Sequence, residues 1–393
     1  MPPEVKKIIS IIKTLTLPNG ALALERSRGN LKPFNIFSDL GDFLPFLLYF
    51  GEEEFIEKQI ELLKEELGPD KILISQFPTM GMSGLAKTYE YTDLLLGLTD
   101  WHLFKKDDDS RELLLDVADK AIDMFCLDGT PRSFYRYFKI PVTDTRDGTL
   151  IECFVDIARA TGENKYADIA NNIYRRLFNN THYEKYGLLP AFFTYKPLTF
   201  FLGGEFKKTA VFKNNTNTIF ALQALYRFNG DNEIKERIFK MISKLYFSDY
   251  KESLTPSFGV LDLLCDNHML FKRDQDLSFA KEIASYWLKF QGKTGLLPLY
   301  PSGKESFIDS ETDMSIALKK LYEITSDNKY KTASDLIFDG FVKHHGKFDY
   351  PLSVNVDTGE LVNDTQRTKF LALALKLFLE GDAYENWGIL RDR

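Results

Sequence analysis

The stretch TLIECFVDIARATGENKYADIANNIYRRLF (149–178) and its echo DMSIALKKLYEITSDNKYKTASDLIFDGF (313–341) decide the architecture. Each reads as a helix, a polar turn of the form T-[GS]-[ED]-N-K-Y, and a second helix. Apolar residues recur at i, i+3 and i+4 in both, and the first helix of each is apolar almost all round. That pattern marks a helix buried on both sides followed by an amphipathic one. NTIFALQALYRFNGDNEIKERIFKMISKL (217–245) is a fainter copy, and TDLLLGLTDWHLFKKDDDSRELLLDVADKAIDMF (92–125) keeps the pattern with a longer turn.

The segments between these pairs also repeat. YGLLPAFF (186–193) precedes one copy and TGLLPLYP (294–301) another, with looser versions in GTPRSFYRYF (129–138), SLTPSFG (253–259) and KFDYPLSV (347–354). Gly and Pro punctuate a loop, and the aromatics after them imply extended, half-buried chain. The unit is loop, inner helix, tight turn, outer helix, at 18–66, 72–126, 129–178, 186–245, 253–291 and 294–345. A last loop and helix follow at 347–380. The N-terminal helix, 4–15, is left to pair with that C-terminal one. Units of about fifty residues with long loops point to an all-α closed toroid, (α/α)n, of six or seven hairpins with seven favoured; an open solenoid would use shorter, more uniform units. The whole chain, 1–393, is expected to form one domain.

Composition narrows the function. The net charge of −7 supplies no basic face for a nucleic acid. The longest apolar run, FLPFLLYF at 43–50, is too short to span a bilayer, and MPPEVKKIISIIKTL lacks a signal peptide's unbroken apolar stretch. A cytoplasmic protein without membrane partners is expected. Cys126, Cys153 and Cys265 have no CxxC spacing and read as reduced core residues. Phosphate-cradle, serine-triad and H-E-x-x-H signatures do not occur, so neither a cofactor nor a metal is expected. Phe and Tyr are abundant, at 33 and 19 residues. Most serve a core, and a few Tyr are candidates for stacking on sugar rings.

The phrase ALKKLYEITSDNKYKTA (317–333) resembles the helix-turn-helix phrase shared by (α/α)-toroid glycosidases and their relatives: N-acylglucosamine epimerases, unsaturated glucuronyl hydrolases and class I α-mannosidases. The resemblance implies a carbohydrate substrate and a glycoside hydrolase that uses two carboxylates with inversion. A lyase, an epimerase or a non-catalytic glycan- or protein-binding toroid is the alternative. In the α-mannosidases an acid begins the inner helix before this phrase, which through Lys329–Tyr330 falls on Asp313. Their G-x-x-D-S-type helix start resembles DLGDFLPFLLYF (39–50), with Asp42 in the acid's place. This chain departs from them in reading Glu311-Thr312 where they have Arg-Pro, and their calcium-binding Thr-Glu segment has no counterpart in EGDAYENWGILRDR. The epimerases use paired histidines on inner helices. Of the five histidines here, only His268 falls near an inner helix, while His344 and His345 close an outer one.

Hydrolysis needs one carboxyl held protonated and another that activates water or attacks. Asp313 is the first candidate, Asp42 its partner and Asp147 the next. For each, capping of a helix N-terminus is the competing structural role. Asp309, Glu311 and Asp313 form the densest acids at any helix start, and i and i+2 face different ways. Substrate binding is assigned to Arg26 and Arg28, as a clamp for an anionic sugar, to Arg146 and Glu311, and to Tyr89 and Tyr91 as stacking residues, with Tyr135 alongside. Surface ion pairing and core packing are the alternatives for these groups.

Overall fold

In the computed structural model, the residues described are 1–74, 86–127, 130–135, 142–179, 181–190, 192–194, 208–245 and 250–379. Helices dominate: α1 (Pro3–Thr14), α2 (Leu40–Tyr49), α3 (Glu53–Leu67), α4 (Thr88–Lys105), α5 (Asp108–Phe125), α6 (Thr149–Thr161), α7 (Asn164–Phe178), α8 (Thr181–Tyr186), α9 (Lys208–Asn229), α10 (Asn232–Leu245), α11 (Leu254–Phe271), α12 (Asp274–Trp287), α13 (Ile308–Thr325), α14 (Asn328–Gly340) and α15 (Thr368–Ala374). Among the described residues, no helix is long and apolar enough to cross a membrane.

The chain divides into two compact units, one of the described residues in 1–37, 42–62 and 250–379, the other of those in 38–41 and 63–245. Each has the same inner logic. In the first, α11 packs on α13 and α13 on α15, while α12 and α14 lie against α11 and α13, and α1 packs on α15. In the second, α4 packs on α6 and α6 on α9, with α5, α7 and α10 as their outer partners. An inner helix thus touches neighbours on several sides. α4 buries Leu94, Leu95, Leu98 and Trp101, and α13 buries Met314, Ala317, Leu318 and Leu321.

The turn between the helices of a pair is set by one left-handed residue. Gly162 (φ 74°) follows α6, Gly230 (φ 70°) follows α9, and Lys106, Lys272 and Ser326 (φ 56°, 56° and 55°) follow α4, α11 and α13. In each case its N–H bonds back to the carbonyl four residues earlier, such as Gly162 to Ala158 and Ser326 to Tyr322. This closes the helix and turns the chain.

Short antiparallel strands form in the loops where the aromatics suggested extended chain. Glu305–Phe307 pairs with Ser353–Asn355, and Val142–Asp144 with Phe192–Thr194. SLTPSFG differs from expectation: α11 already begins at Leu254, and Pro256 is accommodated because the first turn needs no intrahelical donor there. Residues 136–138 of GTPRSFYRYF, the side chain of Tyr135, and EGDAYENWGILRDR lie outside the described residues.

The two G-L-L-P loops are gripped in the same way, each within its own unit. The Leu297 N–H donates to Glu311 Oε1 at 2.6 Å and the Ser306 hydroxyl to the same oxygen at 2.8 Å. In the other loop, the Leu189 N–H donates to Asn215 Oδ1 at 2.9 Å, and the Asn215 amide returns a bond to the Leu189 carbonyl at 3.0 Å. Glu311, in the first turn of α13, and Asn215, two turns into α9, are both fully enclosed. The loop lies flat because a side chain on Gly295 would meet the Leu336 carbonyl, and one on Gly340 the Thr294 carbonyl.

Glu311 does an amide's work with a carboxyl group. Burial pushes it up to about 8, against the pull of its bonds from Ser306 and Leu297. Its first oxygen accepts both of those bonds, and among the described residues no partner meets the second, which is the oxygen left to carry a proton. The unfolded chain releases that proton near the ordinary carboxyl value, so this group's support for folding falls as pH rises from 4.5 to about 8. Replacing Glu311 by Gln is expected to remove this dependence. Denaturant unfolding at pH 5 and pH 8 should show a variant that gains on wild type by about 1.4 kcal/mol for each pH unit within that window. The turns give a second expectation. The space around Gly162 is open, so Gly162→Ala pays only for left-handed backbone and should cost about 1 kcal/mol, while Ser326→Gly should gain about 0.5–1 kcal/mol by the same measurement.

Candidate functional site

The first unit carries a ladder of buried and half-buried charges on the faces of its inner helices. Helical spacing places Asp262 with Asp266 on α11, Asp313 with Lys320 on α13, and Asp42 with Phe46 on α2. Lys369 on α15 and Lys376 in the 3-10 turn after it (Leu375–Phe378) stand seven residues apart. The Lys320 ammonium reaches Asp262 Oδ1 at 2.5 Å and Asp266 Oδ1 at 2.7 Å. Lys376 donates to Asp313 Oδ1 at 3.2 Å and sits over the Phe46 ring, 5.6 Å from its centroid. Lys369 pairs with Asp42 Oδ2. Four ion pairs therefore tie α11 to α13 (two of them), α13 to the turn after α15, and α15 to α2.

Lys320 and Lys376 are the more enclosed partners in their pairs. The Lys320 and Lys376 side chains are 4% and 6% exposed, while those of Asp262 and Asp313 are 21% and 17% exposed. The carboxylates are thus the groups that reach the solvent-facing side. Burial raises the Asp313 carboxyl, Lys376 pulls it back, and the like charges of Asp262 and Asp42 add to the rise. Burial opposes the Lys320 charge, but Asp262 and Asp266 overcome it and hold the ammonium above its usual range. A largely buried carboxyl with a solvent-facing edge, raised by burial and like charge and beside a second carboxyl on another helix, can give a proton to a ligand and take one up.

The second unit holds a separate polar group at the start of α4. The Tyr89 ring is 38% exposed, and Arg146 covers it at 5.3 Å. The hydroxyl lies 3.3 Å from the enclosed Lys87 ammonium and donates to Glu90 at 3.4 Å. Burial, then Glu90, raises its pKa well above the usual tyrosine value while Arg146 lowers it, so Tyr89 stays a protonated donor. Asp147, 2% exposed, accepts from the Ser133 hydroxyl at 2.7 Å and so fixes the strand-bearing loop before α6.

The other candidates lie as follows. Tyr91 is fully enclosed, donating to the Lys71 carbonyl at 3.1 Å and accepting from the Leu73 N–H at 2.7 Å. Arg26, on a strand paired with Gln366–Arg367, donates to Gln366 Oε1 at 2.9 Å and 2.5 Å and to Thr14 at 3.3 Å. Arg28 is exposed at the left-handed turn beside it (φ 49°). Among the histidines, His268 donates to the Arg273 carbonyl, His102 meets the Ser110 hydroxyl, and His345 is buried on the Pro351 carbonyl. Burial pushes His345 down to about 4. Lys320, Lys369 and Lys376 were not legible in the sequence as functional residues. The only signal for Lys320 was its place on the apolar stripe of its helix, four residues after Ile316.

No protein-family profile matches the chain. No curated protein sequence matches it either. Solved structures do. An α-1,2-mannosidase from Trichoderma reesei superposes with a TM-score of 0.68 at 13% identity, over 96% of this chain and 92% of that one. A family 76 glycoside hydrolase (mannosidase) from Bacteroides thetaiotaomicron gives 0.57 at 13% identity, over 99% and 98%. A sugar epimerase from a ruminal bacterium gives 0.56 at 11% identity, over 95% and 98%. The chain has the all-α fold of the (α/α)-toroid enzymes, as its repeated helix pairs implied.

Proposed function

We propose that the protein is a glycoside hydrolase of the inverting type, with Asp313 as proton donor and Asp42 as the base that activates water. The observation that carries this is the pair of lysines on and just after α15. Seven residues of helix separate Lys369 from Lys376 by roughly 10 Å along the axis, and each holds one of the two carboxylates. Inverting enzymes keep their carboxyl groups about 6.5–9.5 Å apart to leave room for water, against about 5–5.5 Å in retaining ones. Backbone anchors that far apart leave room for the wider arrangement. The raised Asp313 carboxyl suits an acid, and the ion-paired Asp42 suits a base. The fold shared with mannosidases supports a sugar substrate by analogy.

The other candidates take supporting parts in this reading. Tyr89, with Arg146 behind its ring, is assigned to sugar contact, and Arg28 to contact at the exposed strand turn. Arg26, Tyr91, Asp147 and Glu311 act by fixing the loops and strands that present these groups. An epimerase of the paired-histidine kind is disfavoured, because His268, the histidine on α11, is engaged by the Arg273 carbonyl. Cys126, Cys153 and Cys265 are buried free thiols, which suits a reducing compartment and supports a cytoplasmic location.

Thermal denaturation against neutral, amino and uronic sugars and short oligosaccharides tests the site. A ligand at a hundred times its dissociation constant should stabilise by about 2.7 kcal/mol. With the stabilising class as substrate, Asp313→Asn and Asp42→Asn should each lower turnover by about 10²–10⁴-fold while keeping the thermal shift, and proton NMR should show the inverted anomer first. A thermal shift without turnover in wild type would instead identify a glycan-binding protein.

A further inference from the structure

Asp313 lies among charges from several of the elements packed around it. Lys376 on the turn after α15, Asp262 on α11 and Asp42 on α2 act on it directly, and Lys320 and Lys369 are the counter-charges of those two aspartates. Lys320 is saturated by Asp262 and Asp266, and Lys369 pairs with Asp42. Lys376 is the cation in direct hydrogen-bond contact with Asp313, at 3.2 Å. It is nearly enclosed, and the Phe46 ring beneath it presents an electron-rich face that favours the ammonium. A cation held this way has little freedom to follow its partner, so it fixes where the partner points.

We propose that Lys376 is a positioning residue: seated on Phe46, its ammonium fixes the Asp313 side chain and sets the pH at which that carboxyl changes charge. The inference rests on the hydrolase reading only for its catalytic meaning; the electrostatic link stands without it. An opposite charge this close favours the ionised form. Removing it leaves burial and the like charges of Asp262 and Asp42 acting alone, and these drive Asp313 toward the protonated state. The acid of the pair would then hold its proton to a higher pH. In a hydrolase this moves the basic limb of the kcat/KM profile upward, because the protonated Asp313 is the active form.

The test is a carbon-13 NMR titration of aspartate carboxyl groups in the full chain, with the Asp313 signal assigned by its loss in Asp313→Asn. Lys376→Met removes the charge and the donor, Lys376→Gln removes the charge but keeps a donor, and Lys376→Arg keeps both. The Asp313 midpoint should rise by about 1 pH unit or more in the Met and Gln variants and return close to wild type in the Arg variant. An unchanged midpoint in Met and Gln overturns the proposal. So does loss of the cooperative thermal transition in both, since the lysine is then only a structural prop. Asp313→Asn leaving turnover of the responsive sugar intact would overturn the hydrolase reading instead, without touching the titration.

Discussion

A charge on a helix that has neighbours on several sides must bring a counter-charge with it, because burying it unpaired costs several kcal/mol. The inner helices of this protein obey that constraint, and much of the first unit's architecture follows from it. Asp262 and Asp266 need Lys320, so α11 and α13 are locked in one register. Asp313 needs Lys376, which brings the turn after α15 onto α13. Asp42 needs Lys369, which brings α2 to α15. Apolar packing supplies the driving force, but it tolerates sliding; a buried ion pair does not.

The second unit meets the same constraint with neutral or locally satisfied groups. Asn215 bonds both ways to one leucine of its loop, and Asp147 takes a serine hydroxyl. Glu311 shows the intermediate case: a carboxyl in an amide's position, protonated by its surroundings. Its elevated proton affinity serves as a loop clasp, whereas that of Asp313, partly open to solvent, is available to a ligand. Exposure separates two acids that stand two residues apart on one helix.

The helix pairs were legible in the sequence because their signals are local. T-G-E-N-K-Y and T-S-D-N-K-Y carry the left-handed residue and the next helix start within six positions, and the apolar spacing does the rest. Asp313 and Asp42 were also legible as acids near helix starts. Their lysines were not. Lys376 lies 63 residues from Asp313, and Lys369 lies farther still from Asp42; a lysine within a helix reads as a solvated face until its neighbours are known. Tyr91 and Glu311 were legible as residues but not in their burial, since an aromatic or an acid in a first turn looks the same whether it points outward or into a loop.

The chain order of the two units bears on how the protein is made. The second unit is drawn from one nearly continuous stretch, and its helix pairs find their partners as soon as they are synthesised. The first combines the N-terminal residues, through α1, α2 and most of α3, with α11 to α15 at the other end. On the ribosome, α1 and Asp42 therefore wait for α15 and Lys369 to emerge. The unit that holds the charge ladder is completed last, and until then the apolar faces of its N-terminal helices lack their native cover.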